Sequence, residues 1–274
     1  MFPRLTQTHV AHAVGMEHAW PRCPDNATRD YCYGSCSTAR QESRWSDVYM
    51  QRLVSSLNRI SFKGKALLYL HPFISTESGA PEKYADDRQL QADGLQVCDY
   101  QGEYVGTLHN KYGKQLLKFV SLAMDTFGFQ GIYLDESSYG VTPLDFSPLH
   151  SDNHSAIIDP KTFKITQHVS FVPLVWQELQ AAIYDEVAKR GGTMIANSQP
   201  VTRTVMQAGI RNQVVQFIES AAKGRESWGW TYTPVGLSKA LFQLSDPDPK
   251  YANVTGLPVD NLWADLDFGS LTYM

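Results

Sequence analysis

Gly131-Ile132-Tyr133-Leu134-Asp135-Glu136 is the stretch on which the reading of this 274-residue chain turns. The run is apolar up to Leu134 and then changes at once to two carboxylates. An unbroken apolar run this short suits a strand buried on both faces, as in a parallel sheet covered by helices. A carboxylate placed at its end stands where such a sheet meets its loops.

Working outward, the same form recurs. Ala66-Leu-Leu-Tyr-Leu70 runs into His71-Pro72-Phe73, Thr193-Met-Ile-Ala-Asn197 ends on an amide, and Val214-Val-Gln-Phe-Ile218 runs into Glu219. Leu262-Trp-Ala-Asp-Leu266 reads as a further strand. Between the runs, apolar residues fall at spacings of three and four, the stripe of an amphipathic helix. The stripes are Trp45, Tyr49, Leu53, Leu57 and Ile60; Tyr112, Leu116, Val120, Ala123 and Phe127; Val172, Trp176, Leu179, Ile183 and Val187; and Leu237, Leu241 and Leu244. Ser170 is expected to cap the third of these, with Pro173 in its first turn and Gly191-Gly192 closing it. Gly64 ends the first.

Strand and helix in alternation mean an α/β fold with a parallel sheet. An open nucleotide-binding sheet would carry G-x-G-x-x-G or G-x-x-x-x-G-K-[ST], and neither occurs. Long polar stretches follow the strands, about forty residues after Leu70 and another up to Ser170. Such loops favour a (β/α)8 TIM-type barrel, whose active site is built from them. Five or six strands are readable in place of eight, the first lying in Thr8–Met16 or missing. The barrel is therefore expected to be incomplete at one or both ends. Residues 1–274 read as a single barrel domain with a Cys-containing loop at 23–36. The apolar stop at Gly269-Ser-Leu-Thr-Tyr-Met274 leads us to expect a longer protein, possessing a further domain outside this chain.

Composition narrows the function classes. Net charge is −4 and no Lys/Arg run exists, which argues against nucleic acid or an anionic membrane as partner. No run of eighteen apolar residues is present to span a membrane, and no signal peptide is visible at Met1-Phe-Pro-Arg4. Cys23, Cys32 and Cys36 crowd one polar loop, with Cys98 further on. An even cysteine count without a C-x-x-C pair points to at least one disulfide rather than to zinc. Three N-x-[ST] sequons, at Asn26, Asn153 and Asn253, sit in loop-like sequence. Together these features predict a secreted or extracellular glycoprotein with disulfide bonds. His109, His150, His154 and His168 have no metal-ligand spacing with one another. No metal and no cofactor is expected.

The candidate chemistry lies at the strand ends, which in a parallel barrel all face one mouth. Asp135, shielded at the end of a buried strand, suits a nucleophile that stabilises an oxocarbenium-like transition state. Glu219, in partly apolar surroundings, is expected to have its pKa raised as a general acid requires. Two such carboxylates on one rim suit glycosidic-bond cleavage, about 5 Å apart for retention and about 6.5–9.5 Å for inversion. Both separations stay open at this point. The substrate-binding candidates are His71, Tyr133, Glu136, Asn197, Asp265, and the pair Trp228 and Trp230 as stacking faces. Glu136, next to Asp135, is expected on the opposite side of the strand by the period of two. Asp267 is a reserve acid.

Gly131-Ile-Tyr-Leu-Asp135-Glu136 resembles the fourth-strand motif of TIM-barrel glycoside hydrolases of the broad α-galactosidase-like and α-glucosidase-like group. Leu67-Leu-Tyr-Leu-His-Pro72 is similar to their third-strand segment, and the resemblance covers roughly residues 64–220. It implies a nucleophilic Asp135 on the fourth strand, Thr193–Asn197 as the fifth, and Glu219 in the acid/base position of the sixth. It also implies a retaining glycosidase acting on a carbohydrate substrate. The chain departs from the group in having Glu rather than Asp as acid/base, and in lacking the Lys or Trp that often precedes the nucleophile. Two other readings compete: a non-catalytic carbohydrate-binding barrel, and a metal-dependent polysaccharide deacetylase or hydrolase using Asp135, Glu136 and a His.

Overall fold

Each apolar run named above that lies among the described residues becomes a strand of one sheet. The structure, a computed structural model, describes residues 10–13, 55, 65–75, 80–98, 102–221, 242–246 and 271–273, and for 10–13, 217–221, 242–246 and 271–273 the backbone alone. The strands of the main sheet are β1 (Val10–Ala13), β2 (Lys65–Leu70), β3 (Gly131–Leu134), β8 (Thr193–Asn197), β9 (Val215–Ala221), β10 (Phe242–Asp246) and β11 (Leu271–Tyr273). They lie side by side in the order β1-β2-β3-β8-β9-β10-β11, and every neighbouring pair is parallel. Two short antiparallel pairs fill the segment after β3: β4 (Leu144–Asp145) with β7 (Ser170–Phe171), and β5 (Ala156–Ile158) with β6 (Ile165–His168).

Three longer helices connect the central strands: α2 (Lys111–Asp125), α3 (Val172–Lys189) and α4 (Arg203–Arg211), with a short α1 (Ala80–Lys83) before them. The period of two sorts each strand into two faces. Ala66, Leu68, Leu70, Ile132, Leu134, Met194 and Ala196 belong to one buried apolar cluster with Leu116 and Val120 of α2, Trp176 and Ile183 of α3, and Val205 of α4. All three helices thus cover the same face of the sheet. A doubly wound fold would reverse its strand order and place helices on both faces. Among the described residues the order is sequential and the three longer helices lie on one side, which is not the doubly wound arrangement. Among the described residues β1 and β11 are the two outer strands, with no pairing between them.

Local sequence accounts for the details. Asn110 caps α2, its Oδ1 accepting from Gly113 N–H at 2.9 Å. Gly191, at φ 69°, ends α3 in the left-handed conformation that glycine tolerates. Gly131 opens β3 because a Cβ there would lie 1.9 Å from the Thr193 carbonyl oxygen and 2.8 Å from the Leu67 side chain.

Several expectations are corrected. Ser170 does not cap α3: the cap position is Phe171 without a side-chain bond, and Ser170 Oγ donates to the His150 carbonyl at 2.8 Å. The run up to Ser170 is not plain loop but holds three short strands, and a fourth begins at Ser170 itself. Leu244, placed in a helix by its spacing, lies in strand β10. The interval after Asn197 holds an unforeseen helix, α4, capped by Thr202. Among the described residues Gly131–Leu134 is the third strand in sequence, with β1 pairing directly with β2. The Trp45–Ile60 stripe, apart from Ser55, and the strand expected at Leu262–Leu266 lie outside the described residues. So do Cys23, Cys32, Cys36, and with them the loop they were expected to staple.

The long excursion after β3 is pinned to the body by a buried pair. His150 Nδ1 meets Asp145 Oδ2 at 2.5 Å, and Asp145 Oδ1 accepts from Leu90 N–H and Ser147 N–H at 2.9 Å each. Both side chains are buried. Removing one partner of such a pair leaves the other uncompensated, at a cost of about 3–5 kcal/mol. Asp145→Ala is therefore expected to lower unfolding free energy by about 3 kcal/mol in urea denaturation. A loss under about 1 kcal/mol, the scale of an exposed ion pair, would contradict this reading.

Candidate functional site

The face of the sheet opposite the helices carries a different set of side chains. Register puts Tyr69 beside Tyr133 and Tyr133 beside Ile195. One step of two further along come His71, Asp135 and Asn197, at the C-terminal ends of β2, β3 and β8. The aromatic row stacks, with the Tyr69 and Tyr133 rings 5.6 Å apart at 22°. The polar row above it is joined by hydrogen bonds.

Asp135 is the centre of that row. The Tyr69 hydroxyl donates to its Oδ2, and Asn197 Nδ2 donates to its Oδ1 at 2.5 Å. Its own backbone N–H donates to the Leu70 carbonyl at 2.9 Å. Each carboxylate oxygen therefore has a donor from a different neighbouring strand, which fixes the plane of the group. Bonds to an ionised acceptor are the stronger class.

Beside it lies a second pair. His71 is 7% exposed, and its Nε2 stands 3.0 Å from Glu136 Oε2, on a side chain that is 40% exposed. The Phe73 backbone N–H donates to His71 Nδ1 at 3.3 Å, so the neutral ring carries its proton on Nε2, toward Glu136. Burial by itself would lower the pKa of His71. The hydrogen bond to Glu136 and the fields of Glu136, Asp135 and Glu103 outweigh it and raise the value above 6.5. Glu103 is fully buried. Its Oε1 accepts from Val141 N–H at 2.9 Å, and a Cβ at Gly140 would come within 2.2 Å of that oxygen.

The strand ends are locked together. Glu136 has φ 42° and Ser198 has φ 131°, both in the region that favours glycine. Ser198 Oγ bonds Ser137 Oγ at 3.0 Å and Ser138 Oγ at 2.8 Å. Ser137 N–H donates to the Asn197 carbonyl at 2.8 Å. Trp176 Nε1 reaches the Ser138 carbonyl at 3.2 Å. This knot ties the turn after β3 to the turn after β8 and to α3.

Measured against the sequence candidates, the structure brings His71, Tyr133, Asp135, Glu136 and Asn197 to one sheet end. The expected position of Glu136 is corrected. β3 ends at Leu134, and the left-handed turn at 136 cancels the strand alternation, so the carboxylate comes round to His71. Glu219 lies within β9 rather than at its end, two residues beyond Phe217, the register partner of Asn197. Its side chain, and Trp228, Trp230, Asp265 and Asp267, lie outside the described residues. Sequence reasoning missed Tyr69, although the period of two links it to His71. It also missed Glu103, which no pattern marks. Among the described residues no three His, Cys, Asp or Glu side chains are placed to hold one metal ion, and no helix is long and apolar enough to cross a membrane.

No family model matches the sequence, and no curated protein matches it. Solved structures give partial likenesses. The catalytic module of SpuA, a multi-modular glycogen-degrading pneumococcal virulence factor, in complex with an inhibitor, aligns with TM-score 0.39 at 12% identity, over 62% of this chain and 21% of that one. A pullulanase complexed with maltotetraose from Anoxybacillus sp. LM18-11 aligns with TM-score 0.39 at 7% identity, over 62% and 22%. A GH31 family sulfoquinovosidase from E. rectale aligns with TM-score 0.27 at 17% identity, over 61% and 21%. This chain thus spans about a fifth of the length of each.

The raised pKa of His71 sets a pH dependence. Folding favours its charged form, so the stabilisation is fully present below the unfolded value of 6.5 and is lost as pH rises through the folded value. The stability difference between the wild type and His71→Asn, from urea denaturation, should be largest in mild acid and shrink toward pH 8. A difference that grows with pH would contradict this account of the site.

Proposed function

We propose that the chain is the catalytic part of a retaining glycoside hydrolase, built on a (β/α)8 barrel, with Asp135 as nucleophile and Glu219 as general acid/base. One observation carries the proposal. Asp135 ends a buried parallel strand, on the face opposite the described helices, with each carboxylate oxygen held by a donor from an adjacent strand. A nucleophile must present one oxygen to a carbon in a fixed direction, and a carboxylate clamped in this way pays little entropy to do so.

In the proposed reaction an Asp135 oxygen forms a bond to the anomeric carbon while the glycosidic C–O bond breaks. Glu219 gives its proton to the departing oxygen. Water then attacks the same carbon, returns its proton to Glu219, and releases Asp135. Tyr69 and Asn197 hold the carboxylate throughout. The β8–β9 register supports Glu219 in the partner role, since it puts that residue beyond the level of Asn197 toward the loop end of the sheet. Trp228, Trp230 and Asp265 remain proposed sugar contacts, as stacking faces and a hydroxyl acceptor. A secretory route also remains part of the proposal, and the exposed Asn153, at the head of an N-x-[ST] sequon, supports it.

Asp135→Asn should abolish hydrolysis of aryl glycosides, whereas Glu219→Gln should cost on the order of 10²–10⁴ on a poor leaving group and much less on an activated one. Azide should rescue the second variant and yield a glycosyl azide. Wild-type rates in both variants would show the pair to be wrong. Sugar binding by a wild type that hydrolyses none of a broad aryl-glycoside panel would favour the binding-module reading.

A further inference from the structure

We propose that His71 and Glu136 form a coupled substrate-recognition pair. In it Glu136 accepts hydrogen bonds from hydroxyls of the sugar held at Asp135, and His71 is the positioning residue that sets the direction of Glu136. This rests on the glycosidase reading and deepens it, naming the groups that read the sugar next to the bond being cleaved.

Three observations support it. The first is backbone geometry. Strand alternation would have turned Glu136 away from Asp135. The chain instead adopts φ 42° at a glutamate, a conformation that is strained for a residue with a Cβ. The structure around it holds that turn in place through the Ser137–Ser198–Ser138 hydroxyl knot. The second is the division of exposure. His71 is buried, while the Glu136 side chain is 40% exposed, so one member is anchored and the other reaches solvent at the sheet end. The third is the hydrogen-bond inventory. A carboxylate has about four acceptor sites, and His71 occupies one on Oε2. The described groups that act on the His71 ring are Glu136, Asp135, Glu103, the Phe73 N–H and the edge of the Phe73 ring, and none of them is a cation. A carboxylate oriented in this way suits the vicinal hydroxyls of a neutral sugar.

The test uses the full chain and two readouts. In the first, the His71 imidazole is titrated by NMR in the wild type and in Glu136→Gln, its signal being assigned from His71→Asn. The proposal expects the titration to fall to lower pH in Glu136→Gln, since the charge that favours the imidazolium is gone. In the second, KM and kcat are measured on a panel of 4-nitrophenyl glycosides of neutral sugars for the wild type, Glu136→Gln, His71→Asn and Asp135→Asn. Glu136→Gln is expected to raise KM about tenfold, the scale of a lost hydrogen bond to a charged acceptor, with a smaller change in kcat. His71→Asn should raise KM less and flatten its pH dependence. An inactive Asp135→Asn beside an unchanged KM in Glu136→Gln would overturn the pair alone. Full activity in Asp135→Asn would overturn Asp135 as the nucleophile, and with it the sugar placement on which the pair rests. If the wild type cleaves none of the panel, the glycosidase reading falls and the titration decides the coupling: an unmoved His71 curve overturns it.

Discussion

A strand in a parallel sheet has two faces, and the described helices of this chain cover only one of them. Ala66, Leu68 and Leu70 on β2, Ile132 and Leu134 on β3, and Met194 and Ala196 on β8 all turn toward α2, α3 and α4, and all are buried there. Burying a side chain of leucine or isoleucine size contributes roughly 1.5–3 kcal/mol. With that face occupied, the alternate residues meet none of the described helices. They include Tyr69, His71, Tyr133 and Asn197, residues that an apolar helix interface would penalise unless every polar atom found a partner. Here Asp135 accepts from Tyr69 and Asn197, and Glu136 pairs with His71. The same alternation that builds the core therefore assembles the polar row on the other side.

The polar row depends on two departures from regular strand geometry. β3 and β8 each give way to a residue at positive φ, Glu136 and Ser198. These stand side by side because Leu134 and Ala196 are register partners. The serine hydroxyls between them then fasten the two turns, and Trp176 ties the knot to the core through the Ser138 carbonyl. Local backbone strain of this kind persists only where surrounding contacts over-determine it. The apolar packing of α3 against the sheet supplies those contacts, which links core stability directly to the geometry of the two carboxylates.

Much of this was legible in the sequence, and the failures have physical causes. Continuous apolar runs marked β2, β3 and β8 because strands buried on both sides need no alternation of polarity, and the stripes of α2 and α3 marked their helices. Leu244 misled because three leucines at spacings of four and three fit a helix as well as chance, and its strand pairing with Glu219 is a long-range event invisible to local periodicity. The four short strands before α3 were missed because they are two to four residues long and mostly exposed. α4 was missed although Thr202 and the Val205–Ala208–Gly209 spacing carried its signal. At the site, Asp135 and Asn197 could be foreseen from strand ends. The approach of Glu136 to His71 could not, because it turns on one dihedral angle that a glutamate seldom adopts.

Asp135 is proposed as the nucleophile of a retaining glycosidase. The most direct measurement is covalent trapping: incubation of the protein with a panel of activated 2-deoxy-2-fluoro glycosides, followed by intact-mass and peptide mass spectrometry. The account predicts a single fluoroglycosyl adduct on the peptide containing Asp135, absent from Asp135→Asn. An adduct on Glu136 or Glu219, with none on Asp135, would contradict it.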